Sequence, residues 1–396
     1  MRALVVGHAY VARDNRTKWE SLAREALASI ELLLPHRWPS WEQAYRPIPS
    51  ETENLRVRVA RAFRTGREDQ YFFAPGTFDN LGDFDLLCVE QGTTAAVYAQ
   101  ALLARHGPKP RACFFTWINW EGRLRWPWTA IERFNLARSD GAIGGNCDAV
   151  DLLRKHGFRG KTAVIPQLGV DPDFYSPAPA DMILEGHASS CPRAQGGEDR
   201  RTPTGGETPS ALRTRLGLEG LVLGYVGRLV PEKGVLDLVE AAATFRGPAS
   251  LLLVGDGPLA GFVRDRAAAL DLRLVHVPAI PHDAVRDHLR AMDLLILPSC
   301  DTASWREQFG HVLIEAMACE VPVIGSTAGA IPEVIGDAGL IFPQGDCDAL
   351  RECLATLIAS TSERRTQGRL GRERVLARYT HAKVARDTLD FWKTLL

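Results

Sequence analysis

Short, almost wholly apolar runs recur along the chain at residues 3–6, 85–89, 112–116, 141–143 and 162–165. Between several of them, at 19–34, 94–105 and 149–155, apolar positions instead return every three or four residues. Runs without polar alternation predict strands covered on both faces, and the three-to-four period predicts helices with one buried stripe. The pattern begins afresh in the second half, with apolar runs at 221–226, 250–254, 272–277, 294–298, 321–324 and 339–342. Strands alternating with helices build a parallel sheet flanked on both sides, so two such series predict two doubly wound α/β domains. At 396 residues the chain is also longer than one hydrophobic core usually supports. The predicted domains span 1–176 and 211–380, with 381–396 as a final amphipathic helix.

Residues 177–210 break the pattern. The stretch from Ser189 to Gly206 carries almost no apolar side chain. It buries too little surface to offset its ordering entropy, which predicts a mobile, dispensable insert.

Composition narrows the function classes. With 47 basic against 48 acidic residues the net charge is −1, which removes any general attraction to nucleic acid. Eight cysteines, at 88, 113, 147, 191, 300, 319, 347 and 353, form no CxxC pair. Cys88 and Cys113 fall inside apolar runs as small hydrophobes, so neither a disulfide framework nor a zinc site is expected. The chain opens directly on an apolar run, without a charged leader, and no stretch of about 18 apolar residues occurs, so a soluble, cytoplasmic protein is the expectation.

The densest candidate chemistry lies in the second half. The run Leu223-Gly224-Tyr225-Val226-Gly227-Arg228-Leu229 is a strand ending in glycine, followed by Pro231-Glu232-Lys233-Gly234. Arg228 and Lys233 then stand beyond the carboxyl end of a parallel strand, where open α/β sheets bind ligands. They read either as a phosphate clamp or as two solvated loop cations. Further on, Glu307 and Glu315 are eight positions apart, and a helix is expected to begin near Gly310. The free N–H groups and dipole of such a helix start suit a diphosphate. Glu315 sits among Leu313, Ile314, Ala316 and Met317, where an ionised carboxylate needs partners. A ribose diol would supply them, and so would a cation on a neighbouring helix. The glycine series Gly255-Asp256-Gly257-Pro258-Leu259-Ala260-Gly261 argues against a nicotinamide cofactor, because its third glycine is one position late.

In order and spacing, Gly227-Arg228-Leu229, Glu232-Lys233-Gly234, Val254-Gly255-Asp256-Gly257-Pro258, Pro298-Ser299, the paired glutamates, Val321–Ser326 and Gly339–Pro343 resemble the family 4 (group 1) retaining glycosyltransferases of the GT-B fold. The resemblance covers most of residues 219–380 and is looser before them, at Gly144-Gly145-Asn146 and at Val164–Asp171. It implies two Rossmann-like domains facing a central cleft, with the last helix crossing back to the first domain. It implies that Arg228 and Lys233 neutralise a donor diphosphate, that Glu307 faces the transferred sugar, and that Glu315 holds the ribose. Gly227, Phe309, Gly310, His311 and Val312 fall where backbone meets the phosphates, and Ile280 where the nucleobase stacks. On the same grounds Glu307, Arg228 and Lys233 are the catalytic candidates, with no metal and no cofactor. The implied co-substrate is a UDP- or GDP-linked sugar, and the acceptor a glycan, a lipid-linked or a small molecule. An epimerase or phosphorylase on the same fold, and a non-catalytic nucleotide-sugar binding protein, stay open as alternatives.

Acceptor-side candidates are His8, Arg16, Lys18, Thr116, Trp117 and Asn119. Relatives often carry a histidine where this chain reads Thr116-Trp117-Ile118-Asn119, and neither Thr116 nor Asn119 is a competent base. His8 follows the first strand and reads equally as a cleft residue or a buried histidine. Asn15 is read as the cap of a helix starting near Trp19, with Arg16 and Lys18 as phosphate contacts or solvated cations. The crowding of Trp117, Trp120, Trp126 and Trp128 around Arg123 and Arg125 reads as a sugar platform, a peripheral contact at the membrane's inner face, or a packed cap. Glu320 replaces a glycine usual at that helix exit, so a locally different turn is expected.

Overall fold

The computed structural model describes residues 1–24, 28–39, 44–122, 124–178, 207–245 and 247–396. The chain divides into two units, Met1–Gly169 with Tyr379–Leu396, and Val170–Arg378. Residues 179–206, which make up most of the expected insert, lie outside the described residues, as does Arg123.

An eight-stranded sheet organises the first unit. Its order is Lys161–Val164, Gly141–Gly144, Arg111–Thr116, Leu86–Val89, Arg2–Val6, Ser29–Pro35, Leu55–Ala60 and Ser50–Glu51. All neighbours are parallel except the last pair. Leu4, Val5, Leu32, Leu33, Leu87 and Phe114 are fully buried, as expected of strands covered on both faces.

The helix predicted over 19–34 is overturned. The helix is Thr17–Arg24, and Ser29–Pro35 is a central strand between Arg2–Val6 and Leu55–Ala60. Leu32, Leu33 and Leu34 suit either element by periodicity, and two parallel partners decide for the strand. Nor does Asn15 cap that helix: its side-chain amide donates to the Ala9 carbonyl at 2.7 Å. The final helix, His381–Leu395, is capped by the Thr380 hydroxyl, and its buried Trp392 stacks on Trp19 with ring centroids 5.6 Å apart.

The second unit carries a six-stranded, wholly parallel sheet ordered Leu274–Val277, Ala249–Val254, Leu221–Val226, Leu294–Leu297, Val323–Ser326 and Leu340–Phe342. The order reverses between Leu221–Val226 and Leu294–Leu297, so the loops leaving these two strands border the crevice where such sheets take ligands. The helix His311–Ala318 follows, buried on nearly every side. Its exit keeps the left-handed turn expected of glycine, with Glu320 itself at φ 60. The Val321 N–H bonds the Ala316 carbonyl and the Glu320 N–H that of Met317, which satisfies the last carbonyls of the helix. Among the described residues, no helix is long and apolar enough to cross a membrane.

Candidate nucleotide-sugar site

Beyond the strand Leu221–Val226, the Tyr225 hydroxyl donates to the Arg228 carbonyl at 2.7 Å and pins the turn. Burial, and then the nearby Glu307 charge, holds that phenol well above its usual range. A single helical turn, Pro231–Lys233, ends on Gly234 at φ +63, where a Cβ would stand 1.9 Å from the Pro298 carbonyl oxygen. Only glycine permits that approach. It draws the turn carrying Lys233 against the end of the strand Leu294–Leu297, and the Lys233 ammonium reaches Glu307 Oε2 at 2.5 Å. Ser299 donates to the same oxygen at 3.0 Å. The Glu307 carbonyl accepts from Ala330 N–H at 2.9 Å, so both ends of the glutamate are held.

Gly310, at φ +75, is the cap of the helix His311–Ala318, and a Cβ there would press on Leu297 at 2.8 Å. Phe309 is buried with its ring 5.4 Å from that of His311, and His311 and Val312 begin the helix half-buried. Arg228 lies elsewhere. Its side chain is 67% exposed and stands 3.8 Å from Glu232. Of the two predicted clamp cations, one is therefore paired with Glu307 and the other is largely exposed beside Glu232.

Glu315 is buried on the same helix, and burial raises its carboxyl above the usual glutamate range. Its partner on the neighbouring helix is His282, whose Nε2 stands 3.7 Å from Glu315 Oε1. Ile280, just before that helix, is half-buried. Lys233, Arg228 and the start of His311–Ala318 thus follow the strands that border the crevice, with Glu307 paired to Lys233 and Glu315 on the helix itself. Among the described residues there is no cluster of three or more histidine, cysteine or acidic groups able to hold a metal.

In the first unit the acceptor-side candidates are further from solvent than the sequence suggested. Lys18 is buried, 3.2 Å from Glu90 Oε1 and 3.2 Å from the Gln167 carbonyl, with its ammonium 4.3 Å from the Trp19 ring. Gln167 donates to Glu90 Oε2 at 3.1 Å and accepts from Trp117 Nε1 at 3.0 Å. Arg16 is likewise buried, donating to the Tyr10 carbonyl at 2.7 Å. Neither cation is solvated, because each compensates carboxylate or carbonyl groups that the fold buries with it. Thr116 and Asn119 are buried, and the Thr116 hydroxyl accepts from Ile118 N–H. His8 stacks on Trp38 at 4.3 Å, meets the Gln91 amide, and stands 3.4 Å from Glu68, whose carboxyl it lowers. The packed-cap reading of the tryptophans fails at Trp126, which is 83% exposed, while Trp117, Trp120 and Trp128 are half-buried.

The family described as "Glycosyl transferases group 1" matches residues 220–360. Over that stretch the chain is similar to the group 1 glycosyl transferases. A 2-deoxystreptamine N-acetyl-D-glucosaminyltransferase of Streptomyces fradiae is 34% identical over 153 residues, 36% of this chain and 35% of that protein. An alpha-maltose-1-phosphate synthase of Mycolicibacterium smegmatis is 29% identical over 188 residues, 43% of this chain and 47% of that one. The chain thus spans between about a third and half of these curated relatives. Over the whole chain the fold is that of sucrose-phosphate synthase from Thermosynechococcus elongatus (TM-score 0.70, 20% identity, 100% of this chain and 99% of that). Anabaena HepE in complex with UDP gives 0.71 at 17% identity, over 100% of both chains. The fold is GT-B.

Several residues around these candidates escaped the sequence reading. Trp305 places its ring 4.8 Å from the Lys233 ammonium, in a loop closed by Thr302 N–H on the Trp305 carbonyl and by Arg306 on Asp301. His282 Nε2 stands 3.2 Å from the Tyr175 hydroxyl and 3.7 Å from Glu315. Glu90 and Gln167 tie Lys18 to Trp117 in the first unit. A tryptophan two positions before Glu307 was the one local signal available for any of these.

Proposed function

We propose that the protein is a retaining glycosyltransferase that moves a sugar from a UDP- or GDP-linked donor, held by the second unit, to a hydroxyl of a glycan, lipid-linked or small-molecule acceptor. The observation that carries this reading is the pairing of Lys233 with Glu307 at the crevice, beside the start of His311–Ala318. In the donor-free protein the two charges neutralise one another. An arriving diphosphate draws Lys233 and the exposed Arg228 toward its oxygens, and Glu307 turns to the hydroxyls of the sugar. The anomeric bond to the phosphate oxygen then breaks while the acceptor oxygen bonds to that carbon on the same face. The acceptor proton passes to the departing phosphate oxygen. Lys233, Arg228 and the free helix N–H groups stabilise the charge that develops there, so no metal is needed.

The test is release of nucleoside diphosphate from UDP- and GDP-sugars, followed with and without acceptors and in the presence of EDTA. Turnover persists in EDTA, and the product keeps the donor's anomeric configuration. Lys233→Ala weakens nucleoside diphosphate binding by about 1.5–3 kcal/mol, the scale of a charged hydrogen bond, and leaves the bare nucleoside unaffected. Glu307→Gln binds the diphosphate nearly as wild type while turnover falls. Equal losses for nucleoside and diphosphate in Lys233→Ala, or release of sugar phosphate only when inorganic phosphate is added, would overturn the proposal.

A further inference from the structure

The segment that enters the second unit is strapped to it by arginines. Arg372 donates to the carbonyls of Tyr175 at 3.3 Å and Pro172 at 3.4 Å, and to that of Ala318. Arg290 holds Ser176 through its carbonyl at 2.6 Å and its hydroxyl at 2.9 Å. The Arg286 guanidinium lies 4.6 Å over the Phe174 ring. Asp171 closes the turn by accepting from the N–H groups of Asp173 and Phe174. Fixed in this way, Tyr175 is buried with its hydroxyl 3.2 Å from His282 Nε2, and it lowers the Glu315 carboxyl against the rise that burial imposes. His282 completes the group at 3.7 Å from Glu315, yet its side chain is 68% exposed and free to leave.

A buried carboxylate that receives ligand hydroxyls must be ionised and held at one orientation. Tyr175 favours both conditions, since a phenol that donates to a carboxylate opposes the rise due to burial and fixes the plane of the group. His282 supplies neither permanently. We propose that Tyr175 is the positioning residue for ribose recognition, orienting Glu315 toward the ribose diol, and that His282 is the partner which the diol replaces. The inference rests on the reading of Glu315 as the ribose ligand. It adds a discrimination, because a carboxylate held to accept from two adjacent hydroxyls is left underused when one is missing.

Calorimetry on the full chain with UDP and 2′-deoxy-UDP, or with GDP and 2′-deoxy-GDP if guanine is the base bound, tests it. Wild type prefers the ribonucleotide by roughly tenfold, the worth of one hydrogen bond to a charged group. Tyr175→Phe keeps the ring and the melting temperature, loses roughly five- to tenfold in affinity for the ribonucleotide and little for the deoxynucleotide, so the preference collapses. His282→Ala binds the ribonucleotide at least as well as wild type. An unchanged ratio in Tyr175→Phe, or an equal loss for both nucleotides, overturns the role of Tyr175 while leaving Glu315 as the ribose ligand. Wild type without any preference, together with Glu315→Gln binding the ribonucleotide normally, overturns both.

Discussion

Lys233 with Glu307, and Tyr175 and Glu315 about His282, are charged or polar groups that the fold brings together. Ser299 and Lys233 meet Glu307, while His282 meets Glu315 and is itself within hydrogen-bond distance of the Tyr175 hydroxyl. Such a site carries a stability cost when charged. Burial raises the carboxyl of Glu315, so the folded state binds its proton more tightly than the unfolded chain does. Its contribution to stability is therefore greatest below the ordinary glutamate range and is lost as pH rises through the raised value. Glu315→Gln removes the titration, so its stability relative to wild type becomes more favourable between pH 4 and pH 7. Urea unfolding at both pH values measures this, and a difference that is constant with pH, or of the opposite sign, refutes it.

At the scale of elements, glycine turns and one exception to them place the site. Gly234 and Gly310 let the turn Pro231–Lys233 and the helix His311–Ala318 meet the strand Leu294–Leu297. The exit of that same helix achieves its left-handed turn without glycine. Glu320 bears the strain because the bonds from Val321 and Glu320 N–H would otherwise be lost, and because its carbonyl lies under Gly368, where a Cβ would stand at 2.3 Å. A non-glycine residue in this conformation costs about 1–2 kcal/mol. Glu320→Gly is accordingly expected to stabilise the protein by about 1 kcal/mol, less a few tenths for the added freedom of the unfolded chain. A fall in melting temperature would mean that the Glu320 side chain contributes more than its backbone costs.

At the scale of the molecule, the chain builds one unit, then a second, and returns to the first through Tyr379–Leu396. The return is anchored by aromatic packing, with Trp392 stacked on Trp19 and both fully buried. Trp392→Ala should cost about 3–5 kcal/mol. Trp126→Ala, at a largely exposed position, should stay within about 0.5 kcal/mol. Chemical denaturation of the pair checks both, and equal losses would show that Trp126 is covered in solution. If Trp126 instead serves contact with a lipid surface, the same variant will lose binding to anionic vesicles with its stability intact.

Much of this was written in local order along the chain. The apolar runs of the second half became strands within a residue or two of where they were expected, because a strand buried on both faces needs an uninterrupted apolar run. The strand end at Gly227 and the helix start at Gly310 were legible in the same local way. What the tertiary structure alone decided was which partners meet. Leu32–Leu34 became strand only through parallel neighbours on both sides. Lys18 lost its solvent to Glu90, 72 residues away, and to Gln167, 149 away. Tyr175 reaches His282 from 107 residues off. Local sequence fixes backbone preference and burial pattern, whereas a buried charge takes its partner from whichever strand end the sheet order brings beside it, and that order is a property of the whole fold.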